Sequence, residues 1–259
     1  MSDSILLDVD GAVAVVTLNR PAVLNALDED MLLALQEQVR RVAEDRAIRA
    51  ILLQARGRGF CAGADLAVDR GREPPPAGET LHRLYHPIVQ GLRGMPKPVV
   101  VAVNGIAAGA GMSLAMAGDV LVAGQSAAFA QSFARVGLVP DAGSSWFLPR
   151  AVGEMRARAL ALLGRKIDAA EAHRLGLVWQ VVPDDSLAAT ALALARELAA
   201  MPTQALAGIK RLYDGALSRD LPAQLALEAD LQTAAANSAD FQEGVAAFLA
   251  RRPPQFTGR

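Results

Sequence analysis

The chain is poor in the residues that make cross-links, metal clusters or aromatic platforms. Among 259 residues there is one cysteine, which rules out an intramolecular disulfide and a thiolate cluster. Phe, Trp and Tyr together make up only 4%, so the core is left to Ala, Leu and Val. Neither sign of charge is in excess: 26 Lys+Arg face 27 Asp+Glu, and a net charge of −1 gives no field that would gather nucleic acid. No stretch reaches the roughly 18 uninterrupted apolar residues of a membrane span. The opening MSDSILLDVDG has neither the basic nor the apolar region of a secretory signal. These absences predict a cytoplasmic protein with no nucleic-acid and no membrane partner. What is abundant is hydrophobic residues, at 52%, enough for a sizeable core in one large domain or a domain with an appendage.

Patterning along the chain predicts a mixed α/β fold. Two extended runs, residues 5–9 and 13–18, flank Asp10-Gly11, a type I′ hairpin signal. From Asp28, a plausible N-cap, Met31, Leu32, Leu35, Val39 and Val42 fall on one helical stripe. Residues 50–53 and 99–103 read as buried strands, with 120–123 a third. Residues 68–80 are rich in Pro, Gly and charge and predict a mobile loop, followed by a helix over 81–92. Residues 105–111 read as a small-residue turn into a short helix ending at Ala117. Asp168 opens a capping-box-like helix start, and 177–182 reads as a last strand. Helices are then expected over 187–200, 203–217, 221–236 and 240–250, with enough apolar surface for self-association.

Two loops could hold an anionic oxygen. One is Gly57-Arg-Gly-Phe-Cys-Ala-Gly-Ala-Asp-Leu66 and the other Asn104-Gly-Ile-Ala-Ala-Gly-Ala-Gly-Met-Ser113, each following a strand. Small residues let backbone N–H groups approach a ligand unshielded. The plainer alternative is two tight turns. The second loop ends in Leu114 where a dinucleotide fingerprint needs its third small residue, and no P-loop is present. Gly111-Met-Ser113-Leu-Ala115 comes near a nucleophile elbow, with Asp141 and His173 downstream, but ten residues separate Val103 from Ser113. Asp141, in Leu138-Val-Pro-Asp141-Ala-Gly-Ser-Ser145, is either a partly desolvated acid–base group or the cap of the next helix. His82 and His86 share a helix face without acidic partners, which argues against a metal site and leaves His86 as a possible pocket residue. Cys61 reads as a buried small hydrophobe.

Four motifs in order, Asn19-Arg-Pro-x-x-Leu-Asn25, Gly59-Phe-Cys-Ala-Gly-x-Asp-Leu66, Lys97-Pro-x-x-x-Ala-Val-Asn-Gly105 and Gly118-Asp119, resemble the crotonase (enoyl-CoA hydratase/isomerase) superfamily. The resemblance runs from about residue 5 to the C-terminus. It implies a spiral of ββα units over 1–197 and a helical C-terminal trimerisation region over 198–259. It also implies a CoA-thioester substrate with no separate cofactor or metal, and assembly as a homotrimer or hexamer. By position, the thioester oxygen would sit on the N–H groups of Ala64 and Ala110. Val23, Ala62, Asp65, Leu66, His86 and Phe133 would contact substrate or CoA. The hydratases of the superfamily carry two glutamates where this chain has Ser113 and Phe133, so hydration is not expected. Gly105-Ile-Ala-Ala-Gly-Ala-Gly111, Leu138-Val-Pro-Asp141, Ala161-Leu-Leu-Gly164, Trp179-Gln-Val-Val182 and Pro254-Gln-Phe-Thr-Gly258 are similar to the ring-epoxide isomerases of phenylacetate catabolism. That likeness implies one catalytic residue, Asp141. Within the superfamily the rival is a Δ3,Δ2-enoyl-CoA isomerase; outside this chemistry stand a non-catalytic acyl-CoA binder and a serine hydrolase.

Overall fold

The computed structural model describes residues 3–67 and 75–259. Strands β1 (Ile5–Asp10) and β2 (Val13–Leu18) form the expected hairpin, with its turn one residue later than expected. Asp10 pairs with Val13, so Gly11-Ala12 is the loop. Only Gly11 of these two has a positive φ, +57°, which fits type II′ and corrects the type I′ expectation. Helix α1 (Glu29–Glu44) begins as expected: the Asp28 carboxylate accepts the Met31 N–H at 2.9 Å, a cap worth about 1 kcal/mol. All five stripe residues are buried. At its far end the buried Lys97 ammonium donates to the carbonyls of Val42 (2.5 Å), Ala43 (3.1 Å) and Asp45 (2.6 Å), so it satisfies acceptors that a helix end leaves open.

The chain then winds through strand pairs. β3 (Ala50–Ala55) is followed by β4 (Gly59–Cys61). The loop expected over 68–80 lies outside the described residues for 68–74, and 77–80 is helical instead. There α2 (Ala77–Thr80) passes through a π-helical turn, Leu81–Tyr85, into α3 (His86–Gly94). β5 (Val99–Val103) is followed by β6 (Ile106–Ala108) and α4 (Ala110–Met116), and β7 (Val120–Gly124) by β8 (Ala128–Ala130). β6 corrects the reading of 105–111 as an uninterrupted turn; three residues containing two alanines carry too little strand signal to be seen. Next come α5 (Ser144–Val152), α6 (Glu154–Leu163), β9 (Lys166–Asp168), α7 (Ala169–Arg174) and β10 (Gln180–Val182). The Asp168 carboxylate caps α7 through the Glu171 N–H at 2.7 Å.

The longer strands form one sheet in the order β1-β2-β3-β5-β7-β10, and the short ones a second, β4-β6-β8-β9. Each pair, β3/β4, β5/β6 and β7/β8, thus gives one strand to each sheet and turns the chain through a spiral. From β2 to β10 the first sheet is parallel, and both its faces are buried. Ile51, Leu53, Val99 and Val101 enter one core cluster, while Ala50, Leu52, Val100 and Ala102 enter another. Double burial explains why these strands read as unbroken apolar runs. Helix α8 (Leu187–Ala200) closes the second face with Leu187, Ala191, Ala195 and Ala199, and so runs across the division expected at 197/198.

Helices α9 (Thr203–Asp214), α10 (Leu221–Ala236) and α11 (Ala239–Leu249) complete the chain with little burial of their own. α9 is tethered to the spiral by charge: Lys210 lies 2.8 Å from the Asp119 carboxylate, and Arg93 bridges Asp119 and Asp214. Asp119 also accepts the Val99 N–H at 2.8 Å, which gives the Gly118-Asp119 motif a structural use. Leu221, Leu225, Phe241 and Phe248 remain exposed on these helices.

Candidate active site

The two small-residue loops meet backbone to backbone because β4 pairs in parallel with β6. A Cβ on Gly105 would stand 2.1 Å from the Arg58 carbonyl oxygen, and one on Gly111 2.3 Å from that of Cys61. Such distances admit glycine alone. A Cβ on Gly63 would lie 2.9 Å from the Ala108 oxygen and 3.6 Å from the Ala110 nitrogen, so the loop bearing Ala64 abuts the start of α4.

Among the described residues, each of the two expected donors is left without a main-chain acceptor by its local geometry. The Leu27 N–H bonds to the Gly63 carbonyl at 2.8 Å, and the Asp65 N–H bonds to the Leu27 carbonyl at 3.0 Å. In a parallel ladder the residue between two such bonds turns its own N–H the other way, which frees that of Ala64. Ala110 is the first residue of α4 and has no carbonyl one turn back to receive its N–H. Its direction is set by Gly109, whose φ of +52° and ψ of −127° only glycine adopts readily.

Asp141 lies on the segment before α5. It does not cap that helix: the N-cap is Gly143 and no side chain bonds there. Asp141 Oδ1 is buried and, among the described residues, has no hydrogen-bond partner. Burial alone pushes the carboxyl from its ordinary 3.8 up to about 6. A small apolar cavity is lined by Leu27, Tyr85, Ala110, Leu114 and Ala142, and so joins the start of α4 to the residue following Asp141. Together these put a carboxyl that titrates near 6 directly before a residue that lines the same small apolar cavity as Ala110. Such a site suits removal of a proton next to a carbonyl whose oxygen takes up the charge.

The expected binding residues fall in two groups. Val23, Ala62, Asp65 and Leu66 gather around the first loop, where the Ala62 N–H bonds to the Leu24 carbonyl at 3.0 Å. Val23 and Leu66 are exposed. The Asp65 carboxylate is engaged by Arg20 at 3.0 Å, and Arg20 also bonds to Asp28 at 2.9 Å, so its side chain braces the loop. Phe133 is buried beside the second loop, its ring 3.9 Å from where a Gly109 Cβ would be. His86 is half-buried and stacks edge-on to His82 at 4.9 Å.

Sequence reasoning missed Tyr85, Leu27, Leu114 and Ala142 as cavity walls. Ala142 carries a positive φ of +47°, a conformation with no signal in the residue type itself. The nucleophile-elbow reading of Ser113 fails, because Ser113 sits inside α4, wholly buried, with its hydroxyl on main-chain carbonyls. His173 is exposed and its Nδ1 lies 2.9 Å from the Val178 carbonyl, at an unrelated turn. Cys61 is buried as expected, and burial raises its thiol to about 12.

The model of the family described as enoyl-CoA hydratase/isomerase matches residues 8–259. The chain is 48% identical over 263 residues to 1,2-epoxyphenylacetyl-CoA isomerase of Escherichia coli (strain K12), covering 100% of each. It is also 48% identical to a probable enoyl-CoA hydratase of Rhodobacter capsulatus, covering 97% of each. Among solved structures, a putative enoyl-CoA hydratase/isomerase from Mycobacterium abscessus superposes with a TM-score of 0.93 at 38% identity, covering 98% of this chain and 100% of that one.

Proposed function

The chain belongs to the enoyl-CoA hydratase/isomerase family, and from that premise we propose that it is an isomerase of a CoA thioester that works with Asp141 as its single acid–base group. The observation that carries this reading is the Asp141 carboxyl: it is desolvated and its Oδ1 has no hydrogen-bond partner among the described residues, and the resemblance puts Ser113 and Phe133 where the hydratases carry two glutamates. Asp141 takes a proton from C2 of the acyl group, and the resulting enolate oxygen is held by the N–H groups of Ala64 and Ala110. The proton is then returned at a more distant carbon, so no atom is gained or lost. The CoA moiety is part of the substrate and no further cofactor is required.

The proposed substrate is 2-(1,2-epoxy-1,2-dihydrophenyl)acetyl-CoA, converted to oxepin-CoA, a reading supported by the full-length likeness to the isomerase of that class. The same machinery would shift a double bond from position 3 to position 2 of an aliphatic enoyl-CoA, and this is the second reading. We further propose a homotrimer or hexamer of a cytoplasmic protein, built on the exposed apolar residues of α9–α11. No helix among the described residues is long and apolar enough to cross a membrane. The test is a spectrophotometric assay with 3-hexenoyl-CoA run beside crotonyl-CoA hydration. Isomerisation without hydration is expected; efficient hydration would overturn the single-base reading, and binding without any turnover would favour a non-catalytic acyl-CoA binder.

A further inference from the structure

We propose that Ser113 is a positioning residue: its hydroxyl pins the main chain of Asp141 to the helix that presents the Ala110 N–H. This rests on the reading of Asp141 as the base and Ala110 as an oxyanion donor. Ser113 stands one helical turn after Ala110 and is fully buried. Its Oγ lies 3.0 Å from the Asp141 carbonyl oxygen and 3.3 Å from that of Gly109. A hydroxyl has one hydrogen to give, and occupancy decides between the two acceptors. The Gly109 carbonyl already receives the N–H groups of Met112 (3.0 Å) and Ser113 (3.1 Å). Among the described residues the Asp141 carbonyl receives no other main-chain N–H than that of Ser144, at 2.9 Å, and its second lone pair is the open one. The hydroxyl therefore donates to Asp141.

The base needs this anchor because the chain beyond it is strained. Ala142 and Gly143 are successive left-handed residues, with φ of +47° and +82°. Alanine adopts that conformation only where surrounding contacts enforce it. The bond from Ser113 fixes the spacing between the base and the oxyanion donor, the span over which C2 and the thioester oxygen must be matched together. Where a glutamate would supply a second proton-transfer group, this chain uses the same position to hold the first one still. Ser144 offers an internal contrast. Its hydroxyl is as deeply buried, but it bonds to Gln131 Oε1 at 2.9 Å and does not touch the Asp141 carbonyl.

The experiment compares full-length wild type, Ser113→Ala, Ser144→Ala and Asp141→Asn, with kcat, KM and the pH dependence of kcat on 3-hexenoyl-CoA and the melting temperature of each. Ser113→Ala should lose about tenfold in kcat, short of the roughly 10²-fold that a full ångström of misplacement costs, with KM changed less than about twofold. A freed loop admits water to the carboxyl, so the acidic limb of the Ser113→Ala profile should move to lower pH. In Ser144→Ala the limb should stay with wild type whatever happens to the melting temperature. A Ser113→Ala limb and kcat equal to wild type, or equal limb shifts in both serine variants, would overturn the role of Ser113 alone. An active Asp141→Asn would instead sink the underlying reading of the base.

Discussion

Replacing Asp141 by Asn should make the protein slower and, at neutral pH, more stable. The carboxyl is half-buried, its Oδ1 lacks a partner among the described residues, and burial raises its pKa from 3.8 to about 6. A folded-state pKa above the unfolded one means that the native chain binds the proton more tightly. The stability this contributes is complete below the ordinary carboxyl value and is lost as the pH rises through about 6. At pH 7 the wild type therefore carries an under-solvated carboxylate, which the amide removes. In a closed site the displacement would correspond to about 3 kcal/mol. This site is partly open to solvent, so roughly 1–2 kcal/mol is the expected gain. For a chain of this size that raises the melting temperature by roughly 2–8 °C, and the gain should shrink as the pH falls toward the ordinary carboxyl range. Turnover should fall by at least about 10²-fold, and wild-type kcat/KM, which follows the free enzyme, should climb with pH through about 6 before levelling, because only the ionised carboxyl accepts the proton. Paired melting and rate measurements at several pH values provide the check. An Asn variant that is less stable at every pH would show that Asp141 is not desolvated, and one with full activity would show that it is not the base.

Ala110→Pro removes the N–H of the second loop while keeping the helix, since proline is well tolerated as the first residue of a helix. It should lower kcat by about 10²–10³-fold with α4 intact by circular dichroism. Lys97→Met strips three carbonyls at the end of α1 of their shared donor. A loss of about 2–3 kcal/mol in urea unfolding is expected, with unchanged kcat in the folded fraction. Cys61, buried and with its thiol raised to about 12, should resist iodoacetamide in the native protein at pH 8 and react fully in denaturant.

The elements that the sequence made legible are those long enough to show a period or deep enough to be uniformly apolar. α1, β5, α8 and α10 fall where their patterns put them, because stripe, cap and double burial all act over several turns or a whole strand. The second sheet was invisible: β4, β6, β8 and β9 are three residues each, and pairing between distant segments, not local preference, makes them strands. The site was legible unevenly for the same reason. Asp141 stood out as a carboxylate among apolar residues, but only the packing around it distinguishes a desolvated carboxyl from a helix cap. The partner of Ser113 lies 28 residues further along the chain, so no local pattern could name it. Lys97 and Asp119 could be noticed as motif residues, yet their work on the end of α1 and on the β5 amide is set by tertiary geometry.

The small residues of the two loops have a physical cause at this site. The groups that would hold the substrate oxygen are main-chain N–H groups, which no side-chain motif can mark. Their position depends on two loops lying closer than side chains allow. Gly63, Gly105 and Gly111 each sit where a Cβ would stand within 3 Å of a carbonyl oxygen of the facing loop. Gly109 supplies the turn that starts α4 with its first N–H unmatched. A substitution at Gly63, Gly105 or Gly111 would force the loops apart and move the N–H groups of Ala64 and Ala110 relative to Asp141. Gly111→Ala is the sharpest case. Its Cβ, on the first turn of α4, would meet the carbonyl oxygen of Cys61 in the buried strand β4 at 2.3 Å, with no flexible side chain to give way. Overpacking of this kind costs roughly 1–3 kcal/mol. Because the displacement falls on the second loop, next to the Ala110 N–H, kcat in the folded fraction should drop as well, by about tenfold or more. Melting and kinetics of this one variant separate the two consequences: a less stable enzyme with unchanged kcat would mean that loop spacing does not set the donors, and that the glycines serve the fold alone.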